Sequence, residues 1–145
     1  MIHPHVGILG PMPIASRSVL AGGAVAMLVL TAGCGSQQPT ATLVATKFVG
    51  ALGHSDPSVA CGYLAPQTKS DLESSAGKSC PTALTEEDLP SAGPVKDSET
   101  FGTMAQVRFS ADTLFLARFK SGWKVMAAGC SPKPGQPYDC RLQGG

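Results

Sequence analysis

Thr103-Met104-Ala105-Gln106-Val107-Arg108-Phe109 sets Thr103, Ala105, Val107 and Phe109 against Met104, Gln106 and Arg108. A period of two is the mark of a strand with one face on a core. Thr113 to Phe119 repeats it less cleanly, with Phe115, Ala117 and Phe119 on one face and Leu114, Leu116 and Arg118 on the other. Lys120-Ser121-Gly122 then turns into Trp123-Lys124-Val125-Met126-Ala127-Ala128. Short runs separated by turn residues read as consecutive antiparallel strands. A first strand is expected near Val95 to Thr100, and a final edge segment from Tyr138 to Leu142 after the Pro-rich loop Ser131 to Pro137.

Upstream of Leu89-Pro90 the period is helical. Val44, Phe48, Ala51 and Leu52 form one stripe, and Gly53 sits where a helix stops. Ser55 or Asp56 followed by Pro57 starts a shorter helix carrying Val59, Ala60, Cys61 and Leu64. Pro66 opens a third, running through Leu72 to about Ala76 and ended by Gly77. Ser79-Cys80-Pro81 begins a further turn with Ala83 and Leu84, which can bring Cys80 back to Cys61. Helices followed by a strand meander predict a single α+β domain over residues 41–145, its N-terminal helices packed on an antiparallel sheet.

The chain ahead of this domain reads as an address. Val19 to Leu30 is apolar throughout; as a helix it would reach about 18 Å, short of the roughly 30 Å of a hydrocarbon core. Arg17 before it and the small residues Thr31, Ala32 and Gly33 after it fit a secretory signal. With Cys34 next, the stretch resembles the lipobox of bacterial lipoproteins, in which the cysteine receives a diacylglyceryl group and becomes the mature N-terminus. The family prefers Leu where Thr31 stands. The resemblance implies a signal peptide over 1–33, lipidation at Cys34, and a domain held on the outer face of the cell membrane. Translation from Met12 would give a more ordinary signal start, and the polar residues 34–40 read as a lipidated tether.

Removing Cys34 from the five cysteines leaves four, Cys61, Cys80, Cys130 and Cys140. In an exported chain they are expected as disulfides. Four cysteines allow three pairings; the sequential one, 61–80 and 130–140, is expected. No Cys-x-x-Cys occurs and His54 is the only histidine after Cys34, so neither a metal site nor a cofactor is expected. Ten Lys and Arg after Cys34 face ten Asp and Glu without a basic run, which argues against nucleic acid as a partner.

The helix with Phe48 and Leu52, the Gly53-His54-Ser55-Asp56-Pro57 break and the hairpin ending Gly122-Trp123-Lys124-Val125 resemble the nuclear-transport-factor-2-like, or ketosteroid-isomerase-like, cone. In that fold an N-terminal helical segment lies in the concavity of a curved sheet. The domain also resembles a group of small actinobacterial lipoproteins, through Ala60-Cys61, Leu64-Ala65-Pro66, Asp112-Thr113-Leu114-Phe115-Leu116, Gly122-Trp123-Lys124-Val125, Ala127-Ala128-Gly129-Cys130 and Pro137-Tyr138-Asp139-Cys140. That resemblance carries no activity with it.

Few residues suit catalysis. His54 reads as a solvated turn residue, and Glu86-Glu87-Asp88 as a solvated helix end without the spaced oxygens of a calcium loop. A cone-type isomerase needs a buried carboxylate and a phenol or acid donor. The candidates are Asp112 and Asp139 with Tyr63 and Tyr138, each more simply a turn or loop anchor. Phe48, Tyr63, Phe109, Phe115, Phe119 and Trp123 are either the core or the lining of an apolar pocket. The expected function is a non-catalytic binding or accessory module, for an envelope protein or a small apolar ligand. The alternatives are an isomerase- or hydratase-like enzyme using the cavity, and a structural adaptor without a pocket.

Overall fold

The computed structural model describes residues 37–144, with side chains from Thr40 onward. The signal segment, the start at Met12, the lipidation at Cys34 and the first residues of the tether lie outside the described residues. Four helices, α1 (Gln37–Gly53), α2 (Pro57–Tyr63), α3 (Pro66–Ala76) and α4 (Cys80–Glu86), precede five strands. These are β1 (Val95–Phe101), β2 (Met104–Phe109), β3 (Thr113–Phe119), β4 (Gly122–Lys133) and β5 (Gln136–Gln143). The strands form one antiparallel sheet in the order β1-β2-β3-β4-β5. The chain is α+β, and among the described residues no helix is long and apolar enough to cross a membrane.

Helix ends follow local chemistry. α1 covers Gln37–Gly53, so residues 37–40 of the expected tether are helical. Its left-handed residue is Ser55 rather than Gly53. Asp56 caps α2, its carboxylate accepting from the Val59 N–H at 3.2 Å with Pro57 in the first turn. Gly77 ends α3 in the left-handed region. The N-terminus of α4 is capped from outside: Glu73 of α3 accepts from the Cys80 N–H at 2.9 Å.

The core lies between the helices and one sheet face. Ala41, Ala45, Phe48 and Ala51 of α1 are buried against Ala105, Val107, Leu114, Leu116 and Val125. Alanine at two turns of α1 lets the helix backbone approach the sheet, and Phe48 fills the gap this leaves. Register sets which side of β3 faces inward. Val107 pairs with Leu114 and Ala105 with Leu116, while Phe115 pairs with Gln106 on the other face.

The β3–β4 ladder slips at Met126, where Phe115 pairs with Ala127 but Leu116 with Val125. This bulge turns backbone groups toward the helices. The Val125 carbonyl accepts from Ala65 N–H at 2.8 Å. The Met126 carbonyl accepts from the buried Thr68 hydroxyl at 3.0 Å and from Gly144 N–H at 3.1 Å. Past the bulge, Gly129 takes φ +67° and β4 leaves β3 to continue with β5 alone. The departing hairpin returns over the outer face, where the rings of Tyr138 and Phe115 meet edge to face at 5.0 Å.

Two disulfides close the fold, Cys61–Cys80 between α2 and α4 and Cys130–Cys140 across β4 and β5. The sequential pairing holds. Sequence separations of 19 and 10 correspond to about 3 kcal/mol each in the chain-entropy model. The double variant C130S/C140S is accordingly expected to lose about 3 kcal/mol in a urea titration. Midpoints matching the unaltered chain would show that the hairpin needs no staple.

Glycine variants separate two backbone situations. A Cβ on Gly129 would sit 3.0 Å from Leu89 Cδ2 and 3.1 Å from Arg141 Cβ, in a left-handed conformation that itself costs a non-glycine residue about 1–2 kcal/mol. Gly50, inside α1, has nothing within 4 Å of that position. G129A is expected to destabilise by about 2 kcal/mol or more, and G50A to stabilise by about 0.5–1 kcal/mol, both read from denaturation midpoints.

Candidate functional site: a cleft beside a buried carboxylate

The segment joining helices to sheet crosses the C-terminal end of α1 and leaves two adjoining depressions there. One, of about 320 Å³, lies among Leu52, Ser55, Pro57, Leu84, Thr85, Asp88 and Leu89. The other, of about 250 Å³, has Phe48, Val49, Leu52 and Leu89 on its walls and Asp112 at its base. Leu52 and Leu89 belong to both.

The joining segment is pinned along its length. Asp88, in the left-handed region, gives its carbonyl to the Arg141 guanidinium. Ala92 and Pro94 give theirs to Ala111 N–H and Ser110 N–H, each at 2.9 Å. Leu89 packs toward Gly129, so the wall between the depressions rests on the bend in β4.

Asp112 braces the same bend. Its Oδ1 accepts from Thr113 N–H at 2.6 Å and Cys130 N–H at 2.9 Å, and its Oδ2 from Gly129 N–H at 3.2 Å. The carboxylate takes the place of strand carbonyls where β4 departs from β3. Burial pushes its carboxyl above the ordinary aspartate value, and the three backbone donors oppose that rise. With three of roughly four lone-pair positions engaged, it is built to hold backbone.

The expected pocket aromatics scatter. Phe48, Phe109 and Trp123 are core residues, Phe48 also bounding the smaller depression, and Tyr63 packs half-buried at the core's margin. Phe115 and Phe119 belong to no inner pocket. Phe115 is on the outer face, and Phe119 is 39% exposed at the end of β3. The strand carries apolar residues on both faces, so its sequence left the phase open, and pairing with β2 settled it.

Other candidates lie apart from the cleft. Asp139 is exposed and pairs with Lys133 at 2.9 Å. Tyr138, on the outer face, helps Asp97 and Glu99 hold the Arg108 guanidinium charged, Asp97 being the main cause. His54 is exposed in the α1–α2 turn, and Glu86 pairs with Lys78 at 2.6 Å. Among the described residues no group of three or more His, Cys, Asp or Glu could hold a metal ion. Leu89 was missed from sequence; its only signal was an isolated apolar residue in a polar linker.

Comparison with protein-family models, curated proteins and solved structures returns no match. The chemistry of the cleft therefore rests on its own geometry: apolar side chains centred on Leu52 and Leu89, hydroxyl groups of Ser55, Thr85 and Ser91, and the carboxylates of Asp88 and Asp112.

Removing that carboxylate tests its role. D112N puts an amide donor where three backbone donors converge, and D112A leaves all three without their acceptor. Buried hydrogen bonds to a charged group contribute about 1.5–3 kcal/mol, so each variant is expected to lose about 2 kcal/mol or more in denaturant unfolding. Stability within about 0.5 kcal/mol of the unaltered chain would return Asp112 to the list of free, reactive carboxylates.

Proposed function

We propose that this protein is a lipid-anchored component of the cell envelope and that its domain is a non-catalytic binding module. The observation that carries the reading is the pinned apolar cleft around Leu52 and Leu89, whose buried carboxylate is occupied by backbone donors. A concavity that joins apolar side chains such as Leu52, Leu84 and Leu89 to a few polar groups suits an apolar side chain of a protein partner or a small apolar ligand. Two disulfides fit an oxidising, extracytoplasmic setting. The apolar run ending at Thr31-Ala32-Gly33-Cys34 supplies the export signal and the anchor. The bend at Gly129, with the helices on one sheet face, supports reading the sheet as the curved wall of a nuclear-transport-factor-2-like cone.

Native mass spectrometry of the protein extracted from its own membranes tests both parts. The anchor predicts an N-terminal peptide beginning at an acylated Cys34, absent from C34A; an unmodified Cys34 would refute it. The cleft predicts either a retained ligand mass or cross-links from its rim to a partner, in both cases lost in L89E. A clean mass together with no cross-link at the rim would leave a structural adaptor as the reading.

A further inference from the structure

The cleft lies at the Asp112 end of the sheet, and the opposite end is apolar without being covered. There the β1–β2 turn, Gly102-Thr103, and the β3–β4 turn, Lys120-Ser121, lie side by side, joined by Arg118 N–H donating to the Thr103 carbonyl at 2.8 Å. Phe101 is 62% exposed, Met104 43% and Phe119 39%. Phe101 pairs with Met104, and Met104 with Ala117, two residues from Phe119. Arg118, on the other face of β3 from Phe119, and Lys120 in the turn are exposed at the same end, and neither forms an ion pair among the described residues. Two cations flanking three exposed apolar side chains form the pattern of a surface that enters a lipid headgroup layer.

The direction of α1 brings the chain's N-terminal side to this end. Thr42 donates to the Ser98 hydroxyl at 2.9 Å, midway along β1, and Phe48, Leu52 and Gly53 line the cleft beside Asp112. The helix therefore runs toward the cleft. Its N-terminal part lies on the side away from the cleft, Gln37 being five residues, about 7.5 Å of helix, before Thr42. Cys34 precedes Gln37 by three residues, which span about 10 Å at most. The headgroup layer on each side of a bilayer is itself about 5–8 Å deep. A tether this short keeps this end of the domain within about 10 Å of the surface that holds Cys34.

We propose that the hairpin-tip end, with Phe101, Met104 and Phe119, rests in the headgroup layer of an anionic bilayer, fixing the domain upright with its cleft facing away. This rests on the reading of Cys34 as the lipid-bearing residue. Anchoring by one end at high effective concentration makes a weak apolar contact sufficient, while Arg118 and Lys120 add attraction to anionic headgroups. The occupant is the bilayer to which the chain is attached, because that is the surface Cys34 brings within reach.

The test is photolabelling of the full chain in its own lipidated form, reconstituted in phosphatidylglycerol–phosphatidylethanolamine vesicles containing a headgroup-level diazirine lipid. Peptide mass mapping reads the label sites and the acyl mass on Cys34 together. Label is expected on peptides covering 100–104 and 118–121, at least about fivefold above those lining the cleft, and reduced to background in F101S/M104S/F119S. These side chains are exposed, so that variant should retain the unfolding midpoint of the unaltered chain. An acylated Cys34 with unlabelled tips, or with tips cross-linked to a second copy or another protein, overturns the proposal while the anchor stands. Labelled tips without acyl mass uphold the surface and overturn the anchor. Neither label nor acyl mass overturns both.

Discussion

The carboxylate of Asp112 holds the bend on which the rest of the sheet depends. Where β4 leaves β3, the N–H groups of Gly129 and Cys130 lose their strand partners inside the protein, and an unpaired buried donor costs about 1–3 kcal/mol. Asp112 meets both, together with its neighbour Thr113. With that corner stable, the β4–β5 hairpin can return over the outer face to set Tyr138 against Phe115. Arg141 of β5 can likewise hold the Asp88 carbonyl, and Leu89 can pack against the corner. One buried charge thus ties the sheet edge, the linker and the cleft wall into one unit.

This economy suits a domain with little apolar mass to spare. Its aromatic residues go to the core and the outer face, and the cleft is made by chain path: a helix end, a pinned linker and the corner. The backbone around the cleft is hydrogen-bonded along the linker, and the Asp112 carboxylate is engaged by three backbone donors. The opposite end differs in character, with exposed apolar side chains at Phe101, Met104 and Phe119 and with Arg118 and Lys120 outside any ion pair among the described residues.

Much of the fold was legible in residues 57–86, where caps are local. Asp56-Pro57, Pro66, Gly77 and Cys80-Pro81 mark helix boundaries through backbone chemistry acting within a turn, and the helices begin and end at or beside them. The strand runs at 104–109 and 113–119 were legible through their period, the second less cleanly, and a strand near Val95 to Thr100 was expected ahead of them. Less legible was the candidate site. Asp112 read as a turn residue, which it is, but its partners Gly129 and Cys130 lie 17 and 18 residues away. Nothing in a local pattern tells a turn aspartate facing water from one facing a bulge.

The sequence by itself determined the order of helices before strands, the caps of the three later helices and a set of four cysteines for pairing, though residues 37–40 and most of 131–137, expected as tether and loop, are helix and strand. These are short-range matters: hydrogen-bond capping, side-chain period and the composition of a segment. Tertiary structure alone decided which face of β3 is inside, that Phe115 and Phe119 are outside, where the cleft lies, and which carboxylate is committed. Those depend on strand register, the bulge at Met126 and the bend at Gly129. A shift of one residue in register exchanges every side chain between the two faces, and the energies choosing the register come from contacts made only when distant segments meet.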